Sequence, residues 1–465
     1  MKILLLSPPY VSEYMRNARC DFVSLSATQW YPILLGYCGA YLQNKGHDVV
    51  LIDAPAQGLS HEETMSKIRQ YSPHLLIVYS GRMSEVNDVK FTDAVVELLG
   101  CKAVIVGPYA SINPERVLKR SKNIAWVIKG EFDPAVADIA EGKQETEIKN
   151  LVYKKGDTYI HNPIRDYLSG DELDKIPFVS RFFKQQVNIY WYKTPSEYYP
   201  FMDIISARGC QYGMCTYCLW PNTYIKGGVY HKRSIDNVIE EFRFIEKDIP
   251  ELRSVMIQDD TFTEQRAVEF CEAKIKAGIN LPWSCYVRAN MSYKVLKLMK
   301  LAGCRNLHVG YESASDKVLK FCKKGISVKR MEEFTRDAKR AGLRIHGDFA
   351  FGFYEETLQD AEKTIEWAYK LNPHTAQFQI MIPFEGTPYY EKMKNRGWLN
   401  QKGEPDMPQF SNQQIRATAK KAYRRFYLSP QYLYKCIKHP YEHFFGRLKT
   451  ISRALPAMLW RSWKI

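Results

Sequence analysis

No stretch of the 465 residues is apolar over the ~20 positions that a membrane-crossing helix needs. The opening MKILLLSPPY breaks at Pro8 and Pro9, too early for the apolar core of a secretory leader, so a cytoplasmic location is expected. No loop carries GxGxxG or GxxxxGK(S/T), which removes the dinucleotide and P-loop nucleotide signatures. Internal repeats and low-complexity tracts are also absent. The eleven cysteines are an odd number scattered along the chain. Without an export signal they are poor material for a disulfide framework and better explained as reduced thiols, a few recruited as ligands.

What is present is the balance of a globular protein, 45% hydrophobic and 25% charged, at a length that suits two domains and an appendage. Short runs rich in Val, Ile and Leu at 2–7, 48–52, 74–80, 102–106 and 125–129 alternate with helical spacing at 31–44, 60–71 and 88–99. Strands that are apolar on both faces predict a parallel sheet covered by helices, a doubly wound, Rossmann-like α/β domain over 1–141. Its ligands are expected at the loops after Ser7, Asp53, Ser80, Gly107 and Gly130. Polar sequence over 142–197, with a small hairpin near 151–161, reads as a connector. A second series follows over 198–395, with strands at 202–207, 254–258, 283–287, 306–310, 344–351 and 375–382. Six βα units predict a partial (β/α)6 TIM-like barrel with its active residues at the carboxyl ends of the strands. A helical, basic and aromatic region, 396–465, closes the chain.

Three cysteines, Cys210, Cys215 and Cys218, lie within nine residues just after the first strand of the second series. Thiolates on one loop can converge on an Fe–S cluster, and three ligands on a [4Fe–4S] cluster leave one iron open to a small molecule. The alternative is a structural zinc site completed by His231, although such sites usually arrive as two ligand pairs.

The C-x4-C-x2-C loop resembles the C-x3-C-x2-C loop of radical S-adenosylmethionine (SAM) enzymes, with a first spacing longer by one residue. The resemblance implies reductive cleavage of SAM to a 5′-deoxyadenosyl radical. It implies that Asp259 and Asp260, ending the second strand in MIQDDTF, meet the SAM amino group, with helix capping as the alternative role. Glu312 in HVGYES matches the ribose-binding position, and Arg288 in WSCYVRAN is a candidate partner for the SAM carboxylate. HGDFAFGFYEET resembles the adenine-flanking GxxxGxPGET segment, keeping Gly352 and Glu356 and placing Tyr354 where a ring can stack on a purine. Cys285 is a candidate late donor of hydrogen, with a buried inert thiol as the alternative.

A doubly wound domain before such a barrel is the layout of the B12-binding radical SAM superfamily. CLWP, DDTFT, WSC, VGYES, KKG, IHG and NPHT further resemble hopanoid-associated radical SAM proteins of the cyclitol ether type. The resemblance implies cobalamin, held without a lower histidine since no DxHxxG is present, with Trp30 and Tyr31 as candidate contacts and aromatic core packing as their alternative role. It implies methylation, or carbon–carbon bond formation with ring rearrangement, on a lipid or other hydrophobic substrate, and an electron donor such as a flavodoxin or ferredoxin. The charge of +15 is concentrated in 416–465, where twelve basic residues face Glu442 alone. Interleaved aromatics make peripheral contact with an anionic membrane the expectation, and a helical cap on the barrel the alternative. An RNA-modifying enzyme is the other reading of that tail. Neither an RNA-binding barrel nor a further cysteine set is visible, so nucleic acid is not expected as a partner.

Overall fold

The structure, a computed structural model, describes residues 1–16, 21–24 and 28–438. Its strands are β1 (Lys2–Ser7), β2 (Tyr14–Arg16), β3 (Asp21–Val23), β4 (Asp48–Asp53), β5 (Leu75–Tyr79), β6 (Lys102–Val106), β7 (Trp126–Ile128), β8 (Leu151–Lys155) and β9 (Thr158–His161) in the first part. The second part holds β10 (Phe201–Ile204), β11 (Ala207–Arg208), β12 (His231–Lys232), β13 (Ser254–Ile257), β14 (Trp283–Val287), β15 (Cys304–Glu312), β16 (Arg344–Phe351) and β17 (Thr375–Ile380).

The first sheet runs β4-β1-β5-β6-β7-β8-β9, parallel through β7 and antiparallel beyond it. It is the expected doubly wound sheet, but the hairpin β8–β9 extends it past residue 141 to His161. Branched side chains fill both faces: Leu4, Leu6, Leu76 and Val78 join one core, and Ile3, Leu5 and Ile77 the other. The strand order reverses at β1, where a crevice opens beyond the carboxyl ends of β1 and β5. A hairpin that periodicity does not reveal, β2–β3, closes over it. Arg16 enters the crevice, bonding Ser7 Oγ (3.2 Å), the Pro8 carbonyl (2.6 Å), Ser84 Oγ (3.2 Å) and Asp88 (2.6 Å).

The second sheet, β10-β13-β14-β15-β16-β17, is parallel in sequence order and forms the expected six-stranded partial barrel. Helices Ile33–Asn44 and Val179–Gln186 wedge between sheet and barrel. Gly36 and Gly39 stand where the rings of Phe183 and Phe182 leave no space for a Cβ, which lets the two helices touch. The Tyr37 hydroxyl then ties the first helix to β10 through Ile205 N (2.9 Å) and O (3.0 Å).

Helix Asn412–Tyr427 packs Ile415, Ala419, Ala422 and Phe426 inward on the barrel edge. Three of its five cations pair with acids: Arg416 with Glu404, Lys421 with Glu362 and Arg425 with Glu366. This part of the basic region is therefore a helical cap. The remainder of the expected membrane-contacting tail, 439–465, lies outside the described residues. Among the described residues no helix is long and apolar enough to cross a membrane.

Candidate active site at the barrel mouth

The three cysteines sit on the loop between β11 and β12, half-buried and unpaired by disulfides. Backbone geometry shapes the loop. Gly209 and Gly213 adopt φ of +92° and +58°, and a side chain on either would run into the backbone of Val229 or Gly227. Gly213 turns the longer first interval between cysteines back onto the chain. After Cys218 one π-helical turn, Trp220–Tyr224, carries Asn222, whose amide donates to the carbonyls of Cys215 (3.0 Å) and Cys218 (2.7 Å). Thr216 N reaches the Cys322 carbonyl (3.0 Å), and Tyr389 N reaches the Thr216 carbonyl (3.0 Å). The loop is thus held from both of its sides.

Charged groups from separate strands gather round it. Burial pushes the Cys215 thiol up, while Lys324 and Arg288 pull it down. Burial, then the neighbouring Cys215, raises Cys218, with Asp260 adding to the rise. Lys324 Nζ bonds Glu312 Oε1 at 2.8 Å, with both side chains under 10% exposed. Glu312 itself lies at a bulge of β15 with φ +63°, a conformation that non-glycine residues rarely adopt and that re-aims the side chain. Its carboxylate occupies the space a Cβ on Gly310 would need. Arg288 lies over the Tyr212 ring at 3.7 Å and donates to the Lys324 carbonyl, and the Tyr212 hydroxyl donates to the Lys323 carbonyl (2.7 Å). The Lys323–Lys324–Gly325 turn is therefore a wall of the site, as are Tyr212 and Asn222. KKG is one of the resembling stretches, but nothing in the sequence assigns it a role, since Lys324 acts on Glu312 through contact and not through spacing in any one element.

The two aspartates divide their work. Asp259 is fully buried and accepts from Ser206 N (2.6 Å), Ser206 Oγ (2.5 Å) and Ala207 N (3.0 Å), so it holds the end of β10 and does not face the mouth. Asp260 accepts from Gly209 N at 3.0 Å, beside the cysteine loop. Thr263, not either aspartate, caps the helix that follows. Next to Asp260, Thr261 Oγ1 lies 3.4 Å from Cys210 Sγ.

The other expected residues fall elsewhere. Trp283 packs on Phe270 of the outer helix Glu264–Lys276, and Cys285, two residues on, points the same way, buried against Cys304 and Cys271. Burial drives its thiol far up, so Cys285 is an inert thiol of the outer layer and not a donor to the chamber. Tyr31 is also fully buried, stacked on Tyr192 at 3.8 Å with its hydroxyl on the Phe201 carbonyl. Trp30 lies edge-on to Phe201 (5.5 Å) and His308 (6.0 Å), on the floor of the barrel. Both aromatics are spent on packing that joins the domains, and Tyr192, stacked on Tyr31, bonds Asp53 at the crevice edge (3.2 Å). Tyr354 is set among Phe321 (5.9 Å), Trp398 (5.3 Å) and Lys392. Gly352, φ +98°, lies against Pro405 and Ile415.

Glu356 anchors that last loop. One oxygen accepts from Gly352 N (2.6 Å) and Phe353 N (3.1 Å), the other has no partner among the described residues, and burial raises its pKa to about 8. The folded state therefore holds this proton more tightly than the unfolded chain. Stability on this account is full below the ordinary carboxyl range and declines as pH rises from about 4.5 to 8. Glu356→Gln should flatten that decline and raise stability at pH 9 by on the order of 2–4 kcal/mol, read from denaturant midpoints at pH 5, 7 and 9.

The donor set suits an Fe–S cluster better than zinc. Among the described residues no three His, Cys, Asp or Glu side chains close around a single ion, as a tetrahedral zinc site requires. His231 stands in β12 with its backbone opposite Arg208 of β11. A four-iron cube holds its thiolates at separate corners, and the cations Lys324 and Arg288 suit the negative charge that three thiolates bring. For cobalamin, the hydroxyl and glycine residues Ser7, Ser80, Gly107 and Ser111 edge the sheet's carboxyl end. These small residues suit an amide-fringed ring, and no histidine stands in those loops to ligate its lower face.

The cysteine loop and the sheet meet directly. Arg208, two residues before Cys210, reaches Glu131 (2.8 Å) and Asp133 (2.8 Å) after β7, all three buried. Gly130 leaves space for the Tyr224 carbonyl, which a Cβ would approach to 3.1 Å.

Comparison with known proteins agrees with this geometry. Residues 204–368 match the family model of the Radical SAM superfamily. The chain is 28% identical over 473 residues to an uncharacterized methyltransferase of Pyrococcus horikoshii, with 98% of each chain covered. It is 22% identical to the cytidylyl-2-hydroxyethylphosphonate methyltransferase of Streptomyces wedmorensis, over 86% of this chain and 83% of that one. Among solved structures, the cobalamin-dependent radical SAM enzyme OxsB, with aqua-cobalamin and SAM bound, superposes with a TM-score of 0.70 at 14% identity, over 96% of this chain and 72% of that one. The radical SAM methyltransferase TsrM of Kitasatospora setae gives 0.67 at 15% identity, over 92% and 90%. Residues 204–368 thus resemble the Radical SAM superfamily, and the chain has the fold of the solved cobalamin-dependent radical SAM enzyme OxsB and of TsrM.

Proposed function

We propose that the chain is a cobalamin-dependent radical SAM methyltransferase. The observation that carries this reading is the seam between the cysteine loop and the first sheet. Arg208 bonds Glu131 and Asp133, and Trp220–Tyr224 packs on helix Pro108–Ile112 at the carboxyl end of β6. Thiol cage and switch-point loops thereby border one interface, as a methyl relay between two cofactors requires. With a cluster on Cys210, Cys215 and Cys218, and SAM and cobalamin in place, the cofactors supply an electron, an adenosyl radical and a transferable methyl group.

The chain's own part is positioning and electrostatics. Lys324 and Arg288 offset thiolate charge, and Arg288 is a partner for the SAM carboxylate. Asp260, beside Cys210, suits the SAM ammonium. Glu312, fixed through one oxygen by Lys324, presents its carboxylate to ribose hydroxyls. A flavodoxin or ferredoxin is the expected reductant.

Methyl transfer is favoured over ring formation because the Pyrococcus horikoshii relative, 28% identical with 98% of each chain covered, is named a methyltransferase, whereas an anaerobic magnesium-protoporphyrin IX monomethyl ester cyclase of Cereibacter sphaeroides is 23% identical over 80% of this chain and 61% of that one. Anaerobic reconstitution should give about four irons and four sulfides per chain. Added hydroxocobalamin should survive desalting, seen as a corrin band in the visible spectrum. Methyl-labelled SAM should then yield a labelled product. A cluster-loaded protein that releases all its corrin on desalting would overturn the reading.

A further inference from the structure

The inner face of the barrel is not uniform. By register, Tyr286, His308, His346 and Thr375 form one inward row, Gly310, Asp348 and Gln377 the next, and Ala350 and Gln379 the row nearest the mouth. On the β13–β15 side the polar groups are mostly buried and several are engaged with one another: Glu312 with Lys324, Arg288 with the Lys324 carbonyl, and Ser284 with Glu197, while Asn306 Nδ2 has no partner among the described residues. On the β16–β17 side Asp348, Gln377 and Gln379 are half-buried or exposed. Asp348 lies 3.4 Å from His346 Nε2 and near enough to Tyr423 to add to the rise that burial gives that phenol's pKa, and His346 Nδ1 is turned to Thr375 Oγ1 at 2.7 Å. Gln377 and Gln379 make no hydrogen bond among the described residues, although Gln377 is half-buried. Below them lies the aromatic floor of Trp30, Tyr286 and His308.

Water can bond these half-buried or exposed side chains, and a molecule that displaces this water without replacing its hydrogen bonds loses free energy. An oily substrate would carry that cost, because it would displace water from a carboxylate and two amides and replace none of their hydrogen bonds. We infer that the β16–β17 wall, through Asp348, Gln377 and Gln379, recognises the substrate, and that this substrate is a water-soluble metabolite. It offers hydroxyl or amino donors to Asp348 and paired donor and acceptor groups to the two amides, and rests an apolar face on the aromatic floor. This corrects the expectation of a lipid. The inference rests on the proposed radical SAM reading of the barrel, but not on methyl transfer.

The test partitions an extract of the producing organism into aqueous and chloroform layers. Each layer is added to reconstituted holoenzyme, and SAM consumption and methyl label are followed separately. The aqueous layer is expected to accelerate SAM consumption, and Asp348→Asn and Gln377→Leu each to reduce that acceleration by about tenfold or more, as when a site built to hydrogen-bond loses its match. Iron content and SAM affinity, measured by equilibrium dialysis without extract, should stay at wild-type values. Gln379→Leu, at an exposed position where folding is not at risk, should act in the same direction. Acceleration by the chloroform layer alone, acceleration that survives all three substitutions, or weakened SAM binding in the variants would each overturn the inference. Acceleration that the variants abolish, with no methyl label in any product, would leave this wall standing and remove the methyl-transfer reading instead.

Discussion

Cys215→Ala is expected to lower iron from about four atoms per chain to below one and to abolish 5′-deoxyadenosine release from SAM. The thiol lies at the centre of the site's charges, with Lys324, Arg288, Glu312 and Cys210 all acting on it. Asn222 spans its carbonyl and that of Cys218, so the loop should keep its shape when the sulfur alone is removed. His231→Ala is the matched control. A zinc site of three cysteines and His231 would lose its metal with that substitution, whereas the cluster should keep its iron and its absorbance. Iron and sulfide analysis after anaerobic reconstitution reads both variants. Full iron in Cys215→Ala, with deoxyadenosine still released, would remove the ligand assignment.

The second large effect is expected at Arg208. Its guanidinium is the shared partner of Glu131 and Asp133, and all three side chains are almost wholly buried. Arg208→Met leaves two carboxylates facing one another out of water, which should cost about 3–5 kcal/mol in anaerobic denaturant unfolding. The triple change Arg208→Met, Glu131→Gln, Asp133→Asn should recover most of that loss, because it removes the stranded charges together with their partner. Since this ion pair joins the cysteine loop to the sheet, the single variant should also retain less corrin after desalting. Equal destabilisation in the single and triple variants would show that the guanidinium acts through packing and not through charge.

How much of this was legible beforehand varied with the range of the interactions involved. Alternation of apolar runs and helical spacing placed the strands of both sheets to within a few residues, because that pattern is local and repeated. The cysteine loop was legible because all three ligands lie on one short segment. Arg16 was not, since nothing near it explains a buried cation. Its partners Ser84 and Asp88 lie about 70 residues away. Lys324 was equally hidden, because its importance comes from lying against Glu312 and Cys215. The alternating pleat of β14 is visible in WSCYV, but not which of its faces meets helix Glu264–Lys276, so the sequence leaves Cys285 between a donor to the chamber and an inert thiol, and the structure gives the second. Trp30 and Tyr31 followed the same course, because a segment after β1 gave no sign that it would be drawn under the barrel.

By itself the sequence determined two α/β units in order, a three-thiol loop at a strand end and the charge imbalance of the terminal region, all properties of residue type and short-range spacing. Only the tertiary structure decided which aspartate faces the thiols and which supports the backbone, which charges surround Cys215, and that unpaired amides and a carboxylate line the far wall of the barrel. Those depend on the register of strands distant in sequence and on which face of each strand is covered, and no single segment encodes either.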